Sequence, residues 1–277
     1  DNHWPIVRLE LLQTAAGILA LAIQRTRTEH QKLHDAMERE RMRILSTFMT
    51  KAEHEFKTPL TVISTATYLL SHMEEGENER RAAKLNQIQE QVGQINKLVE
   101  AMVLMTRLDI EPFAPLQTLP LNELVKNAML QFIKLAQQKE VALVFIPLPE
   151  TVHITCDETK LERALRNMIE NALTFTPKGG RVHLWVQVTD NMAHISIADN
   201  GIGMDEGTRA QIFDNFFRQD KAHSTRGFGL GLPIAKRIVE LHGGSISLES
   251  QPHHGSTFTV HIPLNQANDT PPSTVKT

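Results

Sequence analysis

One histidine, His54, lies where it can act as a nucleophile, within Lys51–Thr61 (KAEHEFKTPLT). It is about 200° from Ala52 on a helical wheel, at roughly 100° per residue, and so faces away from the apolar stripe into solvent. Neutral imidazole is a good nucleophile near neutral pH, and the adjacent Glu55 can orient it and stabilise the charge it gains. Pro59 inside this helix predicts a bend beside the histidine. The stripe consists of Phe48, Ala52, Phe56, Pro59, Leu60, Ile63, Thr67 and Leu70.

Two asparagines, Asn167 and Asn171, are four residues apart on a helix that Asp157 is expected to cap. Their amides therefore point from one face. Amide oxygens are neutral ligands, suited to a Mg²⁺ ion whose charge is already balanced by phosphate groups. Taken alone, the pair also fits an ordinary helix surface.

A third candidate is Asp199-Asn-Gly-Ile-Gly-Met204, directly after an apolar strand. Asp199 can accept a hydrogen bond from the exocyclic amine of adenine. Gly201 and Gly203 let the backbone approach a ring closely. An ordinary Asp-Asn-Gly turn is the alternative.

The segment Gly227–Leu232 (GFGLGL) opens a helix, where free backbone N–H groups form an anion site suited to phosphates. It is not a P-loop, because no Gly-Lys-Ser/Thr follows, and it lacks the spacing and βαβ setting of a Rossmann fingerprint. The phenylalanine cluster at Ile212–Arg218 is interpreted mainly as packing. The polar run 219–226 after it is long enough for a mobile lid.

The composition limits the function classes. A chain of 277 residues predicts about two domains. A net charge of −3 and 5% aromatic residues give no support for nucleic-acid binding. The single cysteine, Cys156, excludes an internal disulfide framework, fits a reducing compartment and is interpreted as a buried structural thiol. No segment is long enough to span a membrane, and Leu11–Ile23 is too short. We therefore expect a cytoplasmic piece of a longer protein.

Helices dominate the first part of the chain. Residues 9–50 predict one long helix with an interrupted heptad pattern, which fits either a signal-transmitting coiled coil or simply an imperfect dimer seam. The His54 helix is expected to run to about Met73 and to stop at Gly76. A second amphipathic helix ending near Leu108 would complete an antiparallel hairpin, and two hairpins would pair as a four-helix bundle. The heptad frame holds Ala16, Leu19, Ile23, Leu33, Met37 and Ile44, interrupted by Thr26, His30 and Glu40, and the second stripe holds Leu85, Ile88, Val92, Ile95, Val99 and Met102.

From Leu121 the pattern predicts an α+β sandwich, with one mainly antiparallel sheet covered by helices. The predicted helices are 121–138, 158–173 and 230–241. The predicted strands are 141–146, 153–156, 182–188, 193–198, 245–250 and 256–262. Pro112, Pro115 and Pro120 mark a linker before this region, and the tail after Leu264 is expected to be disordered.

In this order the motifs resemble the sensor histidine kinases of two-component systems, over residues 41–264. His54–Leu60 resembles the phosphoacceptor box, and Asn167–Pro177, which includes Phe175, resembles the asparagine box. Asp199–Gly203, Ile212–Arg218 and Gly227–Leu232 resemble the first glycine, phenylalanine and second glycine boxes. Residues 9–27 resemble the closing helix of a GAF-type sensor domain.

The resemblance implies a division of the chain into a signalling coiled-coil helix at 1–42, a dimerisation and histidine phosphotransfer domain at 43–112, a Bergerat-type ATP-binding domain at 113–265 and a disordered tail at 266–277. It also implies homodimerisation and transfer of a phosphoryl group from phosphohistidine to an aspartate of a response-regulator receiver domain.

By the same resemblance, adenine of Mg-ATP binds Asp199, and Mg²⁺ binds Asn171 with Asn167 nearby. The phosphates lie under a lid closed by Gly227, Gly229 and Gly231, with Leu230 and Arg218 in the flanking boxes. His54 attacks the γ-phosphate through Nε2, Glu55 acts as general base, and Thr58 is in the position of a residue that orients water for dephosphorylating the partner.

Two departures from the family pattern bear on the rate. Thr174 stands where lysine is common, so one phosphate contact is missing or comes from Lys178 or Arg218. Glu53 stands where a small residue usually precedes the histidine, and its charge can hinder the ATP phosphates or stabilise a protonated imidazole.

The residues also suggest three other functions. An ATPase akin to gyrase or the heat-shock chaperones would lack the hairpin motif at Glu53–Thr61. A phosphatase-biased or nucleotide-binding module with weak kinase activity is suggested by Thr174. A metal site at His253-His254 is disfavoured, because adjacent side chains on a strand diverge.

Overall fold

A computed structural model describes residues 4–74, 77–110, 115–219 and 227–264. The chain divides into two compact units, Asp1–Glu55 and Phe56–Thr277, which are described separately. Several sequence predictions lie outside the described residues: the stop at Gly76, Pro112, most of the proposed lid and the disordered tail.

The first unit is the N-terminal part of one long helix, α1, whose full extent is Trp4–Ser71. The sequence predicted a helix here and a helix around His54, and the two are continuous. Most heptad side chains lie outside the described residues, so the coiled coil stays a prediction. Among the described residues, no helix is both long and apolar enough to cross a bilayer.

The second unit begins with the last part of α1, which contains Pro59, and helix α2 (Asn78–Ile110). Arg81 donates from Nη2 to the carbonyl of Met73 (3.1 Å), joining the two sides of the connection. Leu98 of α2 is fully buried, whereas Leu85, Val92 and Val99 remain exposed at seven-residue steps. The apolar stripe predicted for α2 therefore splits into exposed and partly covered halves.

The rest of the second unit is the predicted α+β region. Its helices are α3 (Leu121–Leu130), α4 (Ile133–Lys139), α5 (Glu158–Phe175), α6 (Glu206–Gln211) and α7 (Gly231–Leu241). Its strands are β1 (Gln117–Pro120), β2 (Ala142–Ile146), β3 (His153–Cys156), β4 (Arg181–Thr189), β5 (Met192–Asp199), β6 (Ser245–Gln251) and β7 (Gly255–Pro263).

The main sheet has the order β2-β4-β5-β7-β6, parallel between β2 and β4 and antiparallel elsewhere. Alternate residues of its central strands are buried, including Leu184, Ile195 and Phe258. Helix α5 contributes an apolar face to this core, with Leu165 and Met168 almost fully buried, and it packs on both α3 and α7. The core thus lies between one sheet face and the helices, as the alternation predicted.

Cys156 ends β3 and is fully buried. Burial, with the nearby charge of Asp157, raises the pKa of its thiol to about 12. A thiol that stays protonated is a poor nucleophile, so the prediction of a structural cysteine is confirmed.

Three details of the predicted elements were wrong or missing. The single helix 121–138 is two helices, because Phe132 donates its N–H to Met129 three residues back (2.9 Å) and turns into the core. Strand β3 is not in the main sheet but pairs with β1, which was not predicted. Helix α6 was also missed, although Asp205 caps it by accepting from the N–H of Thr208 (2.7 Å).

Candidate functional site

His54 is exposed on α1, as predicted, with 69% of its side chain accessible. Its Nδ1 lies 3.8 Å from Oε1 of Glu55, whose side chain is only 16% accessible. A carboxylate on the Nδ1 side stabilises positive charge on the ring and favours Nε2 as the free nucleophile. Thr58, in the second unit, is exposed. Thus His54 is exposed and has the Glu55 carboxylate beside it, while the roles of nucleophile and base stay predictions.

Helix α5 carries the two predicted asparagines. Asp157 caps it by accepting from the N–H of Lys160 (Oδ1–N 3.1 Å), while Lys160 Nζ pairs with the other carboxylate oxygen (3.0 Å). The apolar face toward the sheet then fixes the rotation of the helix, and it leaves Asn167 and Asn171 half-buried at its other side.

The two asparagines do not have equivalent environments. Asn167 donates from Nδ2 to the carbonyl of Gly231, the first residue of α7 (3.0 Å). The amide of Asn171 has no hydrogen-bond partner among the residues that the structure describes. Asn167 therefore joins α5 to the glycine-rich helix start, whereas the oxygen of Asn171 is available to a ligand.

The Asp199 loop follows β5, as predicted. Burial raises the pKa of the Asp199 carboxyl, while hydrogen bonds from the N–H groups of Gly201 and Ser256 oppose the shift. The contact with Gly201 is 2.8 Å. A Cβ on Gly201 would collide with the carbonyl oxygen of Phe175, and one on Gly203 with that of Gln251. The glycines are thus required by close backbone contacts, and the Asp199 side chain is partly buried in the same loop.

The second glycine segment leads into α7. Gly227 and Gly229 have φ of 135° and 66°, values that favour glycine. A Cβ on Gly229 would collide with the carbonyl oxygen of Phe217, and the carbonyl of Gly229 accepts from the N–H of Phe216 (3.0 Å). Leu230 is buried and is the residue before α7. The phenylalanine and glycine segments are therefore in direct contact, although residues 220–226 separate them in the sequence.

Lys178 and Arg218, the two residues predicted to supply the phosphate contact missing at Thr174, have different environments. Lys178 Nζ is 2.6 Å from Oε1 of Glu140, on the connection after α4. Thr174 itself donates its hydroxyl to the carbonyl of Glu170 (2.7 Å). Arg218 is half-buried at the end of the phenylalanine segment. Of the two alternatives, Lys178 is therefore the one held in an ion pair with Glu140.

The histidine pair 253–254 shows no metal-site geometry. His253 has φ of 63°, and Nδ1 of His254 lies 3.0 Å from the carbonyl oxygen of Pro252. Within the described parts of the chain, no three histidine, cysteine, aspartate or glutamate side chains form a group that can hold a metal ion.

Comparisons with known proteins match both halves of this arrangement. The model of the His Kinase A phospho-acceptor domain matches residues 44–111, and that of the histidine kinase-, DNA gyrase B- and HSP90-like ATPases matches residues 156–266. Sensor protein DivL of Caulobacter vibrioides is 32% identical over 270 residues, which are 96% of this chain and 34% of DivL. Sensor protein kinase PmrB of Pseudomonas aeruginosa is 33% identical over 247 residues, 87% of this chain and 49% of PmrB.

The chain belongs to the sensor histidine kinases of two-component systems. The fold agrees, since a structure of histidine kinase ThkA in complex with response regulator protein TrrA aligns with a TM-score of 0.68, at 22% identity, over 82% of this chain and 64% of that one. This histidine kinase sequence spans half or less of the length of the two relatives above.

Two residues of the histidine kinase were not singled out from its sequence. His242, at the end of α7, is buried and hydrogen bonds to the N–H of Asp157 (3.1 Å). Lys139, at the end of α4, reaches the carbonyl of Leu173 (2.6 Å). Both contacts join positions 34 to 85 residues apart, and no local spacing signals such a pairing.

Proposed function

We propose that the chain transfers the γ-phosphoryl group of ATP to Nε2 of His54 and then to an aspartate of a response regulator. The observation that carries this proposal is the exposed His54 with the Glu55 carboxylate 3.8 Å from Nδ1, within the segment that matches the phospho-acceptor domain. The second match supplies an ATP-binding domain on the same chain.

In this reaction the Nε2 lone pair attacks phosphorus in line, forming the N–P bond as the bond to the ADP oxygen breaks. The imidazole gains positive charge, and Glu55 accepts the Nδ1 proton. The distance of 3.8 Å between Nδ1 and Oε1 is longer than a hydrogen bond, so the ring and the Glu55 carboxylate must approach each other before the proton is transferred.

For the nucleotide, we propose that Asp199 accepts from the adenine amine, with Gly201 and Gly203 against the ring. The phosphates would approach the N-terminal end of α7 at Gly227, Gly229 and Gly231, where N–H groups and the helix dipole favour anions. Phe175, Leu230 and Arg218 would flank the nucleotide.

The donor chemistry fits one Mg²⁺ ion, because the Asn171 amide has no hydrogen-bond partner among the described residues and offers a neutral oxygen. Asn171 would hold the ion, which neutralises phosphate charge when bound. Asn167 would act indirectly, through its hydrogen bond to Gly231.

The partner of phosphotransfer is proposed to be a receiver domain, as suggested by the ThkA complex with TrrA. Thr58 would orient water when the regulator is dephosphorylated. We also propose a homodimer, supported by the exposed stripe on α2. A cytoplasmic location is proposed from the single, reduced cysteine.

The test is incubation with γ-labelled ATP and Mg²⁺, comparing the intact chain with His54→Gln. Acid-labile, alkali-stable label is expected on the intact chain and none on the variant. His72→Gln is the matched control, since His72 is also exposed and lies just beyond the end of α1. If the intact chain binds ATP without labelling, or if His54→Gln still labels, the proposed acceptor is wrong. The family comparisons do not favour the phosphatase-biased alternative.

A further inference from the structure

Lys139 makes an unusual contact with a helix end. It is the last residue of α4, and its Nζ donates to the carbonyls of Leu173 (2.6 Å) and Thr174 (3.3 Å) in the last turn of α5. Burial lowers the pKa of this amine, so part of its hydration has been exchanged for the two carbonyls.

Every backbone carbonyl in the last turn of α5 accepts a hydrogen bond. The final four carbonyls of a helix have no partner within the helix. In α5, Ala172 accepts from both the N–H (3.1 Å) and the hydroxyl (2.7 Å) of Thr176. Leu173 and Thr174 accept from Lys139, and Phe175 accepts from the N–H of Ile202 (3.3 Å).

The C-terminal end of α5 lies between the residue proposed to bind magnesium and the loop proposed to bind adenine. Asn171 is only two residues before Leu173 and directly before the last turn of α5. Beyond it, the carbonyl of Phe175 contacts the Asp199 loop so closely that a Cβ on Gly201 would collide with it. A shift of the α5 end would therefore move Asn171 and Gly201 together.

We propose that Lys139 is a positioning residue for nucleotide binding, which holds the end of α5 against the Asp199 loop through the carbonyls of Leu173 and Thr174. It acts through α5 and contacts no nucleotide itself. The inference rests on the proposed function, because it takes α5 and the Asp199 loop as the nucleotide site.

The charge of Lys139 suits this role. The C-terminal end of a helix carries partial negative charge, which a nearby cation stabilises. An ammonium group also offers three donors, enough for two carbonyls and one water. A neutral side chain of similar length would fill the same space but leave both carbonyls without this donor.

The experiment compares Lys139→Met, Lys139→Arg and Lys134→Met in the full chain. Lys134→Met is the matched control, because Lys134 is an exposed lysine of the same helix, α4, and has no part in the proposed nucleotide site. Equilibrium dissociation constants for ADP and ATP are measured by calorimetry, at a temperature where circular dichroism shows every variant folded.

The expected result is a loss of nucleotide affinity of about tenfold for Lys139→Met, substantial recovery in Lys139→Arg and no change in Lys134→Met. Equal affinity in Lys139→Met and the unmodified chain would overturn the inference, even if the melting temperature falls, because a purely structural contact predicts that pattern. If Lys139→Met does not fold, Lys139→Leu, which also lacks a donor, is measured under the same criterion. Failure of the unmodified chain to bind nucleotide would instead refute the proposed function.

Discussion

The ring of His242 at the end of α7 hydrogen bonds to the backbone N–H of Asp157 at the beginning of α5 (Nε2–N 3.1 Å). Its Nδ1 lies 2.8 Å from the carbonyl oxygen of Ile238. Nε2 accepts and Nδ1 donates, so the ring is the neutral Nδ1–H tautomer. At the other end of α7, the carbonyl of Gly231 accepts a hydrogen bond from the amide of Asn167, in the middle of α5. The helices carrying the asparagines and the glycine segment are thus fixed to each other at two places.

We expect the stability of the fold to decrease at mildly acidic pH because of His242. Burial lowers the pKa of its imidazole in the folded protein, and nearby Lys160 acts in the same direction, while the bond to Ile238 and the charge of Asp157 oppose. As the pH falls, His242 is therefore protonated at a higher pH in the unfolded chain than in the folded protein. The stabilisation is complete above the unfolded pKa of about 6.5 and is lost as pH falls toward the folded pKa, by at most about 1.4 kcal/mol per pH unit.

Urea unfolding of the second unit between pH 8 and 5 measures this effect. His242→Gln should be less stable at pH 8 by about 1–3 kcal/mol, because the N–H of Asp157 loses its acceptor. It should also show a shallower fall in stability with pH. The control His72→Gln removes an exposed histidine and should retain the pH dependence of the unmodified chain. Parallel pH profiles for all three chains would rule out His242 as the source.

A methyl group at Gly201 should impair nucleotide binding. The Cβ would collide with the carbonyl oxygen of Phe175, so the Asp199 loop or the α5 end must move. We expect Gly201→Ala to weaken ATP binding at least about tenfold, equivalent to about 1.4 kcal/mol. Gly207→Ala is the control, since its nearest neighbour would be 3.7 Å away. Calorimetric titration with ATP checks this, and equal dissociation constants for the two variants would contradict it.

The charge state of Asp199 should be visible in the pH dependence of nucleotide affinity. Burial raises the pKa of its carboxyl above the ordinary value, so the carboxylate is lost at a higher pH than for an exposed aspartate. Because the adenine amine needs an acceptor, affinity should fall as pH decreases through this raised pKa. Asp199→Asn should bind weakly at all pH values and lose that dependence. Titrations at several pH values test this, and an unchanged profile in Asp199→Asn would show that another group titrates.

Local pattern predicted most elements, because alternation and helical periodicity decide which face of a strand or helix is buried. The break at Phe132 escaped it, since residues 121–138 contain no glycine or proline after Pro120 to mark a turn. Helical spacing places Asn167 and Asn171 on the same face of α5 and does not distinguish their environments. Only the hydrogen bond from Asn167 to Gly231 distinguishes them. Lys139 and His242 were missed for the same reason, because their partners are distant in the chain.

The exposed stripe on α2 should be the surface through which two copies associate. Leu85, Val92 and Val99 repeat at seven-residue steps and remain 44–53% exposed, a spacing that places them along one seam of a helix. Val92→Glu with Val99→Glu should convert the dimer to a monomer, because two carboxylates would be buried without partners. Lys97→Gln is the control: it is also exposed on α2, about 200° around the helix from Val99, and it too makes the charge more negative. Sedimentation equilibrium distinguishes the outcomes. A Val92→Glu/Val99→Glu chain that stays dimeric would place the interface on another face.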